Sequence, residues 1–329
     1  MTVATAPGKC ILFGEHAVLY GSSAVAVAID ARVRVEVREA ESGPRVDGQM
    51  IGPGRHPHVR SMLESFGLPA DAAIDVRVDS DLFSAAGLGS SAALSVAAGA
   101  ALIGRTSGGA ALTGDDLDRI AAAGHAAEAA AQGGRASPTD TSTAAHGGCI
   151  LIADQPIEGI EHLSTRSIET PDGPRSWQVH SVSIPEALSD VSLVIGWTGV
   201  HASTAALVAQ VADLLERQPS KREQMARIAQ VTRMGVDALQ SGNAEGVGAA
   251  MEMCHVLLAS LGVSSVELDR LIDASRPFSL GAKLTGAGGG GCMIALSRQP
   301  RRCSEAIELA GGRTIISRIG APGVHIESD

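Results

Sequence analysis

The sequence predicts a two-domain protein of the mixed α/β class, and three observations support this prediction. The chain has 329 residues, which is long for one domain and ordinary for two. Its first half contains segments in which apolar and polar residues alternate, as they do in half-buried strands. Its second half contains several longer segments with helical periodicity, between apolar segments that read as strands.

The first half is predicted to contain most of the strands. Residues 3–13 read as a strand before a turn, residues 24–38 alternate cleanly between apolar and charged side chains, and residues 74–78 alternate again. A further strand is predicted over residues 148–153. The Gly- and Pro-rich stretch 45–58 is predicted to be a loop.

Helices are predicted beside these strands. Residues 60–66 form a short helical pattern, and the Ala-rich stretch 92–101 a longer one. Another helix is predicted to begin near Thr113, because Thr113 and Asp116 have the spacing of a capping box. Gly133 and Gly134 would end it.

A domain boundary is predicted near residue 185, which gives domains 1–185 and 186–329. Residues 155–184 are polar, contain prolines and show little periodicity. The second domain is predicted to contain strands and helices in this order: a strand at 191–197, helices at 203–217, 221–241, 244–261 and 265–275, a strand at 292–296, and a final helix and strand ending at 319.

The composition restricts the classes of function. Hydrophobic residues make up 45% of the chain and aromatic residues only 2%, so Ala, Val, Leu and Ile must fill the cores. The formal net charge is −10, which argues against a nucleic-acid partner because a phosphate backbone needs a basic face. Any anion must therefore be bound locally, by helix ends, a metal ion or a few cations.

The cysteines and the apolar segments predict a cytoplasmic location. The five cysteines are scattered without CxxC spacing, which is typical of small core residues in a reducing compartment. No apolar run is long enough to span a membrane, and the N-terminus does not resemble a signal peptide. We therefore expect no membrane partner.

The stretch Gly87-Leu88-Gly89-Ser90-Ser91-Ala92-Ala93 is the strongest single candidate for a binding site. Glycines allow the backbone amides to turn toward a ligand, and a helix start carries unpaired amides and a positive dipole end. Such a loop binds phosphate in many proteins. Taken alone, it is equally consistent with an ordinary turn before a helix.

Lysine is rare in this chain, which has 23 arginines and three lysines, Lys9, Lys221 and Lys283. Lys9 and Lys283 lie in or beside glycine-rich segments. These two positions are therefore candidates for a compact ammonium group that a planar guanidinium could not replace.

Common nucleotide-binding signatures are missing from the sequence. Neither GxxxxGKS nor GxxxxGKT occurs, no GxGxxG follows a predicted strand, and the protein-kinase motifs HRD and DFG are absent. A phosphate-handling enzyme with this sequence must use another arrangement.

Three separate segments together resemble the motifs of the GHMP kinase family. Ala6-Pro7-Gly8-Lys9 with residues 13–21 (FGEHAVLYG) resembles the first motif, residues 87–93 the phosphate loop, and residues 285–291 the third, glycine-rich motif. They occur in the family's order and span most of the chain. Within the family, the first motif is most similar to that of the mevalonate kinases, including those of the archaeal type.

The resemblance implies a fold and an activity. It implies an N-terminal domain like ribosomal protein S5, a ferredoxin-like C-terminal domain, and a site in the cleft between them. It also implies transfer of a phosphoryl group from ATP, with Mg²⁺, to the 5-hydroxyl of mevalonate, which gives 5-phosphomevalonate for isoprenoid synthesis. A homodimer is one candidate for the assembly.

The resemblance also implies roles for individual residues. Asp140 matches the catalytic base, and Lys9 would lie beside the reacting hydroxyl. Ser91 and Glu128 match the magnesium ligands. The loop that wraps the ATP phosphates would comprise Ala85, Ala86, Gly87, Leu88, Gly89, Ser90 and Ser91. The mevalonate pocket would contain Lys9, Glu15, His16, Asp140, Thr198, Gly286 and Ala287.

The chemistry of phosphoryl transfer is consistent with these roles. Catalysis consists mostly of positioning and charge stabilisation, and Mg²⁺ needs few protein oxygens besides phosphate and water. Asp140 could take the alcohol proton or mainly orient the hydroxyl, and Lys9 would stabilise the developing alkoxide. Both roles of Asp140 stay open here.

Simpler interpretations of the same residues exist. Glu128 could be a solvated helix residue, His125 is better read as structural, and Asp140 could cap a helix or turn. Lys283 has no assigned role in the family. The glycines at 286–291 favour close approach of the backbone to phosphate or substrate.

Two segments depart from the family pattern. Phe83 and Ala85 occupy positions where the phosphate loop usually has proline and glycine, and Ala85 is expected to have a negative φ unless it is strained. Ser137-Pro138-Thr139-Asp140 replaces the usual Pro-Ser-Gly-x-Asp segment and is found among archaeal-type members.

Other functions remain as alternatives. The acceptor could be phosphomevalonate, homoserine or the 3-hydroxyl of mevalonate, and an additional substrate phosphate would need another cation such as Arg135. A non-catalytic nucleotide or sugar sensor on the same fold is a further alternative. Such a sensor would be expected to have lost Lys9, Glu128 or Asp140, and all three are present.

Overall fold

Two sheets organise the part of the chain that this computed structural model describes, which comprises residues 1–52, 54–131, 136–170 and 173–327. Within these residues the larger sheet has nine strands and the smaller sheet four. The strands are β1 (Thr2–Phe13), β2 (Ala24–Glu39), β3 (Arg45–Val46), β4 (Gln49–Met50), β5 (Ile74–Ser80), β6 (Cys149–Ala153), β7 (Glu161–Thr170), β8 (Gly173–Val182), β9 (Ser192–Trp197), β10 (Gly281–Thr285), β11 (Cys292–Ser297), β12 (Arg313–Ser317) and β13 (His325–Ile326).

The two sheets divide the strands by their position in the chain. The larger sheet has the order β4-β3-β5-β2-β6-β8-β7, and β1 pairs with both β2 and β13. The smaller sheet has the order β10-β11-β9-β12. The boundary predicted at 185/186 lies in the segment between β8 and β9, while β13 returns from the end of the chain to pair with β1. The domain limits 1–185 and 186–329 stay a prediction.

Helices cover both sheets. They are α1 (Pro57–Ser65), α2 (Ser90–Ser107), α3 (Gly114–Ala131), α4 (Thr139–His146), α5 (Thr204–Arg217), α6 (Arg222–Gln240), α7 (Ala244–Ser260), α8 (Val266–Ser275) and α9 (Pro300–Leu309). Helices α1 to α4 belong to the first half of the chain and α5 to α9 to the second.

Most helices and strands form where the sequence predicts them, because local signals determine their ends. Thr113 and Asp116 make the predicted capping box: the Thr113 amide donates to the Asp116 carboxylate, and the Asp116 amide donates to the Thr113 hydroxyl. Three helices of the second half, α5, α7 and α8, begin at side-chain N-caps: Ser203, Asn243 and Ser265 accept hydrogen bonds from amides of the first turn.

The strand prediction for residues 24–38 is confirmed by β2. Val33, Val35 and Val37 are buried, and Arg34 and Arg38 are exposed, whereas Glu36 on the polar face is buried and paired with Arg38. This alternation turns one face of the strand toward the core and the other toward solvent. The core of the protein is therefore built mostly from Val, Ile, Leu and Ala, as the composition requires.

The prediction of an aperiodic boundary segment at 155–184 is wrong. These residues form the hairpin β7–β8, and β8 pairs with β6 along Cys149–Ala153. Trp177 and Val179 are buried on one face, and the Trp177 ring meets His125 edge-on at 5.5 Å between ring centroids. Polar residues on the outer face hide this alternation in the sequence.

The predicted loop at 45–58 is also only partly correct. It contains the two-residue strands β3 and β4, which pair with each other, and the first residues of α1. The helix predicted to end at Gly133 and Gly134 is described to Ala131. Those two glycines and Arg135 lie outside the described residues.

The prediction that the cysteines are unpaired core residues is confirmed. Cys10, Cys149, Cys254, Cys292 and Cys303 are all free and buried. Burial raises the pKa of the Cys10, Cys149 and Cys254 thiols to about 12, so they are protonated core side chains. Among the described residues, no helix is both long and apolar enough to cross a membrane.

Buried histidines predict that the protein loses stability in mild acid. Burial lowers the pKa of His16, His125, His146, His180 and His255 below the ordinary 6.5. Well above pH 6.5 these groups are neutral in both states and contribute nothing. Below it the unfolded chain binds more protons than the folded one, so stability falls as the pH decreases toward the folded pKa values.

The melting temperature measured from pH 7.5 to 5 should therefore decrease. His125→Gln should flatten this decrease, because it removes one buried group whose Nε2 lies 3.0 Å from the Ala136 carbonyl. His56→Asn is the matched control, since His56 is exposed and asparagine tolerates its positive φ of 49°. An unchanged slope in His125→Gln would contradict the prediction.

Candidate active site

The Gly-Ser loop ends on the first turn of α2. Gly87 and Gly89 have φ angles of 77° and 73°, and Gly89 is the N-cap of the helix. No side chain of the described residues caps this end, so the first amides of an 18-residue helix are available to an anion. The loop therefore has the backbone geometry of a phosphate site.

Lys9 and Asp140 meet beneath this loop. Lys9 Nζ lies 3.2 Å from Asp140 Oδ1, and Lys9 is only 5% exposed. The Lys9 amide donates to the Leu88 carbonyl at 2.9 Å. A β-carbon at Gly89 would lie 3.0 Å from Lys9 Cγ and 3.5 Å from Asp140 Oδ2. The absence of a side chain at Gly89 thus lets the loop lie directly on the ion pair.

Local structure directs both side chains of this pair. The register between β1 and β2 shifts between Pro7 and Lys9, and such an irregularity redirects the following side chain. Asp140 lies in the first turn of α4, where the helix dipole favours a carboxylate. The Asp140 side chain is 37% exposed, so it contacts solvent, whereas Lys9 is nearly buried.

Glu128 lies on α3 and is buried. His58 Nε2 of α1 is 3.2 Å from Glu128 Oε1. The sequence assigned no function to His58, because residues 45–58 read as a loop. Glu128 is therefore not a solvated helix residue, and its carboxylate lies within the helical layer formed by α1, α2 and α3.

Ser91 and Glu128 fit the chemistry of a magnesium ion. Ser91 is in the first turn of α2, and the neighbouring α3 carries Glu128. Within the described residues, no three His, Cys, Asp or Glu side chains are grouped as a metal site. One carboxylate and one hydroxyl suffice where phosphate oxygens and water complete the coordination, as is usual for Mg²⁺.

Glu15 and Lys283 form a buried ion pair between the two halves of the chain. Lys283 is fully buried and Glu15 is 2% exposed. The ammonium donates to Glu15 Oε1 and to the Leu284 carbonyl, the latter at 2.7 Å. Cys254 Sγ approaches the other oxygen of Glu15 at 3.7 Å. The carboxylate of Glu15 is thus engaged inside the protein.

The scarcity of lysine in the sequence is what singled out Lys283 as a candidate. Lys9 and Lys283 are both buried and both paired with a carboxylate. Lys221, the third lysine, donates to the Ser260 carbonyl at 2.8 Å. The two lysines beside glycine-rich segments are therefore the ones held in ion pairs.

His16 follows Glu15 in a strained backbone conformation, with a φ of 57°. Its Nε2 lies 2.9 Å from the Ala287 carbonyl. Burial lowers the pKa of His16, and the Ala287 hydrogen bond opposes this shift only in part. The neutral ring must then donate from Nε2 and keep Nδ1 as an acceptor, and Nδ1 has no partner among the described residues.

The third glycine-rich segment connects β10 to β11 and packs against other backbone. The Thr198 hydroxyl donates to the Gly291 carbonyl at 2.9 Å. A β-carbon at Gly288 would lie 2.0 Å from the Val263 carbonyl oxygen, and one at Gly291 would lie 3.2 Å from the Ala86 carbonyl oxygen. The close approaches seen at these glycines are to other backbone of the protein, and the predicted approach to phosphate or substrate stays a prediction. Gly286 and Ala287 are half-buried at the same turn.

Ala85 corrects one sequence expectation. It has a φ of 51°, whereas a negative φ was expected in the absence of strain. The left-handed conformation is unfavourable for alanine, so the loop begins with the geometry that a glycine would adopt freely. His201 Nδ1 lies 3.3 Å from the Ala85 carbonyl oxygen.

The structure thus brings the separately predicted segments to one cleft. The phosphate loop lies on Lys9 and Asp140, and the third glycine-rich segment contacts both the loop and His16. Glu15 binds Lys283, and the Thr198 hydroxyl donates to the Gly291 carbonyl. The roles of these residues stay a prediction.

Family models match two regions of the chain. The model described as "GHMP kinases N terminal domain" matches residues 58–148, and "GHMP kinases C terminal" matches residues 236–309. The first region contains the phosphate loop, Glu128 and Asp140. The second contains Lys283 and the third glycine-rich segment.

Similar proteins cover nearly the whole chain. A mevalonate kinase of Thermococcus sibiricus is 33% identical over 99% of this chain and 98% of its own length. One from Archaeoglobus fulgidus is 34% identical over 89% and 92% of the two chains. The crystal structure of Methanococcus jannaschii mevalonate kinase superposes with a TM-score of 0.77, 26% identity, and coverage of 97% and 98%. The predicted two-domain GHMP kinase fold is confirmed.

The buried pair of Glu15 and Lys283 predicts a large effect on stability. Lys283→Met should lower the free energy of unfolding by about 3–5 kcal/mol, because it leaves the Glu15 charge buried without a partner. Lys221→Met is the matched control and should cost about 1 kcal/mol, the net value of one hydrogen bond. Urea unfolding followed by circular dichroism measures both values.

A second substitution tests the cause of this effect. Adding Glu15→Gln to Lys283→Met removes the uncompensated charge and should recover about 1 kcal/mol or more. Equal stability of the single and double variants would show that the ion pair does not account for the loss.

Proposed function

This chain belongs to the GHMP kinase family, and we propose that it is a mevalonate kinase that transfers the γ-phosphoryl group of ATP to the 5-hydroxyl of mevalonate. The similar proteins named mevalonate kinase support this proposal, since about a third of their residues are identical over nearly the full chain. The observation that carries the chemistry is the Lys9–Asp140 pair directly beneath the phosphate loop.

The phosphate loop would hold the nucleotide. Residues 85–91 present the start of α2, where unpaired amides and the helix dipole stabilise negative charge. Ser90 and Ser91 add hydroxyl groups to the first turn of the helix. The chain carries a net charge of −10, so this local positive potential is what permits a polyanion to bind.

Ser91 and Glu128 would hold the magnesium ion. When bound, Mg²⁺ neutralises charge on the phosphate oxygens and orients the transferring group. The protein supplies one carboxylate and one hydroxyl from adjacent helices. His58, 3.2 Å from Glu128, would hold the carboxylate in place.

Lys9 and Asp140 would act on the reacting hydroxyl. In the transfer, the bond between the acceptor oxygen and the γ-phosphorus forms while the bond from that phosphorus to the ADP oxygen breaks. Asp140 accepts the hydroxyl proton and passes it to solvent, which its partial exposure permits. The Lys9 ammonium stabilises the negative charge on the acceptor oxygen.

Glu15, His16, Thr198, Gly286 and Ala287 would shape the mevalonate side of the cleft. His16 is neutral, because burial lowers its pKa, and its Nδ1 can accept a hydrogen bond from a hydroxyl group. Glu15 would act indirectly, by helping to shape the pocket, because its carboxylate is bound to Lys283. Thr198 would hold the glycine-rich segment against the phosphate loop.

The proposal includes the cellular location and the partners of the enzyme. A reducing, cytoplasmic compartment agrees with five free, buried thiols, and the acidic net charge favours neither nucleic acid nor an anionic membrane surface as a partner. The homodimer stays a prediction.

The proposed activity predicts selectivity for the acceptor. In a coupled ADP-release assay with Mg-ATP, kcat/KM for mevalonate should exceed that for phosphomevalonate and homoserine by on the order of 10²-fold. Phosphorus NMR of the product should show coupling to methylene protons, as in a 5-phosphate. A higher kcat/KM for another acceptor, or a phosphate on the tertiary carbon, would contradict the proposal.

Lys9 is predicted to be essential for turnover. Lys9→Met removes the cation beside the developing alkoxide and should lower kcat by on the order of 10²-fold or more. Lys221→Met, a surface variant at the third lysine, should retain the wild-type kcat. Near-normal turnover by Lys9→Met would remove this residue from the catalytic machinery.

Gly89 provides a test of the loop's position on the ion pair. Gly89→Ala places a β-carbon 3.0 Å from Lys9 Cγ, and the resulting shift should lower kcat/KM by about 10- to 100-fold. Gly108→Ala is the matched control, because Gly108 ends the same helix at a φ of 66°. A β-carbon there would meet no other part of the described chain within 4 Å.

Both substitutions force alanine into the left-handed region, so each should cost about 1 kcal/mol of stability. Only Gly89→Ala should lose activity. An equal loss of activity in both variants would show that general destabilisation explains the effect.

A further inference from the structure

Two aromatic rings from different halves of the chain stack beside the start of the phosphate loop. Phe83 precedes the loop in the first half, and Trp197 is the last residue of β9 in the second. Their ring centroids are 5.3 Å apart and their planes differ by 18°. Such a pair is a short-range contact that exists only when the two halves hold one relative position.

A guanidinium group contacts both rings of this stack. Arg313 begins β12 and is paired in register with Trp197. Its Cζ lies 5.1 Å from the Phe83 ring centroid and 5.5 Å from the Trp197 ring centroid. Both distances are within the range of a cation–π interaction, so Arg313 favours the position in which the rings lie together.

The second half of the chain also contacts the two residues that begin the loop. His201 Nδ1 lies 3.3 Å from the Ala85 carbonyl oxygen, and the His201 ring is tilted against Trp197 at 5.9 Å. The Ala86 carbonyl oxygen would lie 3.2 Å from a β-carbon at Gly291. Phe83 and Ala85 are thus each contacted from across the cleft, and the Gly291 backbone lies close to Ala86.

The strained alanine explains why such support is needed. Ala85 has a φ of 51°, a conformation that persists in a non-glycine residue only when its surroundings enforce it. Alanine has no local preference for this conformation, so contacts from outside the loop must enforce it. The aromatic ring at Phe83 and the His201 contact to the Ala85 carbonyl oxygen can perform this task.

We propose that Phe83, Trp197, Arg313 and His201 form an interdomain clamp that positions the start of the phosphate loop for the nucleotide. These are positioning residues, since none of them needs to touch the reacting atoms. The proposal rests on the proposed function in one respect, because it assumes that the loop binds ATP. The clamp should therefore affect ATP binding more than mevalonate binding.

The stack supplies its own spectroscopic reporter. The chain has two tryptophans, Trp177 and Trp197. In a Trp177→Phe background, Trp197 is the single tryptophan, so selective excitation of tryptophan reports on it alone, and ATP titration should change its fluorescence. This binding measurement does not depend on the acceptor. If ATP does not bind the parent protein, the proposed function fails before the clamp is tested.

Phe83→Ala in this background should raise the ATP dissociation constant and the KM for ATP by about fivefold or more, because a loop that is no longer preorganised must be ordered on binding. The KM for mevalonate should stay within about twofold. Phe83→Tyr should restore ATP affinity because it restores the stacked ring, whereas Phe83→Leu, which keeps apolar volume only, should not.

Arg313→Ala has a matched control in Arg175→Ala. Arg175 lies 5.1 Å from the Trp177 ring centroid, so both variants remove a cation–π contact to a tryptophan, and Arg313→Ala also removes the contact to Phe83. This comparison is made in the wild-type background, and isothermal titration calorimetry measures the ATP affinity. Only Arg313→Ala should weaken ATP binding.

Two results would overturn the clamp. One is an ATP dissociation constant for Phe83→Ala within twofold of that of its parent. The other is an equal rise in KM for both substrates together with a lowered melting temperature, since that pattern would indicate a purely structural role. An equal effect of Arg313→Ala and Arg175→Ala would remove Arg313 from the clamp.

Discussion

The ion pair between Lys9 and Asp140 is the interaction on which the rest of the site depends. Lys9 is almost fully buried, and a buried ammonium is costly without a nearby counter-charge. Asp140 supplies that charge from the first turn of α4, and Gly89 leaves room for the phosphate loop to lie above both. A strand irregularity, a helix start and a glycine loop therefore converge on one pair of charges.

Other buried charges around the cleft are also paired with a partner. Glu15 and Lys283 join the first motif to the strand before the third glycine-rich segment, and Glu128 meets His58 within the helical layer. A buried ion pair is poor evidence for stability, because apolar residues of similar size often stabilise a protein as well or better. Several buried charges around one cleft are typical of a functional site. The clamp at Phe83 adds apolar contacts that hold the phosphate loop against the second half.

The sequence predicted the features that depend on neighbouring residues. The capping box at Thr113 and Asp116, the alternation along β2 and the Gly-Ser loop before α2 all follow from local patterns. The hairpin β7–β8 was missed because polar side chains cover its outer face and because its partner β6 is set by tertiary pairing. Lys283 could be singled out as unusual, but its partner Glu15 is 268 positions away. The stack of Phe83 on Trp197 is equally non-local and left no pattern in the sequence.

A single-turnover experiment on Asp140→Asn tests the central claim most directly, since this substitution keeps the shape of the side chain and removes its charge and basicity. Rapid quench with enzyme in excess measures transfer of labelled phosphate from ATP to mevalonate, and calorimetry measures the two dissociation constants. We predict that the transfer step slows by on the order of 10²-fold or more, while both dissociation constants stay within about threefold. A transfer step as fast as that of the wild type would contradict the assignment of this chemistry to the Lys9–Asp140 pair.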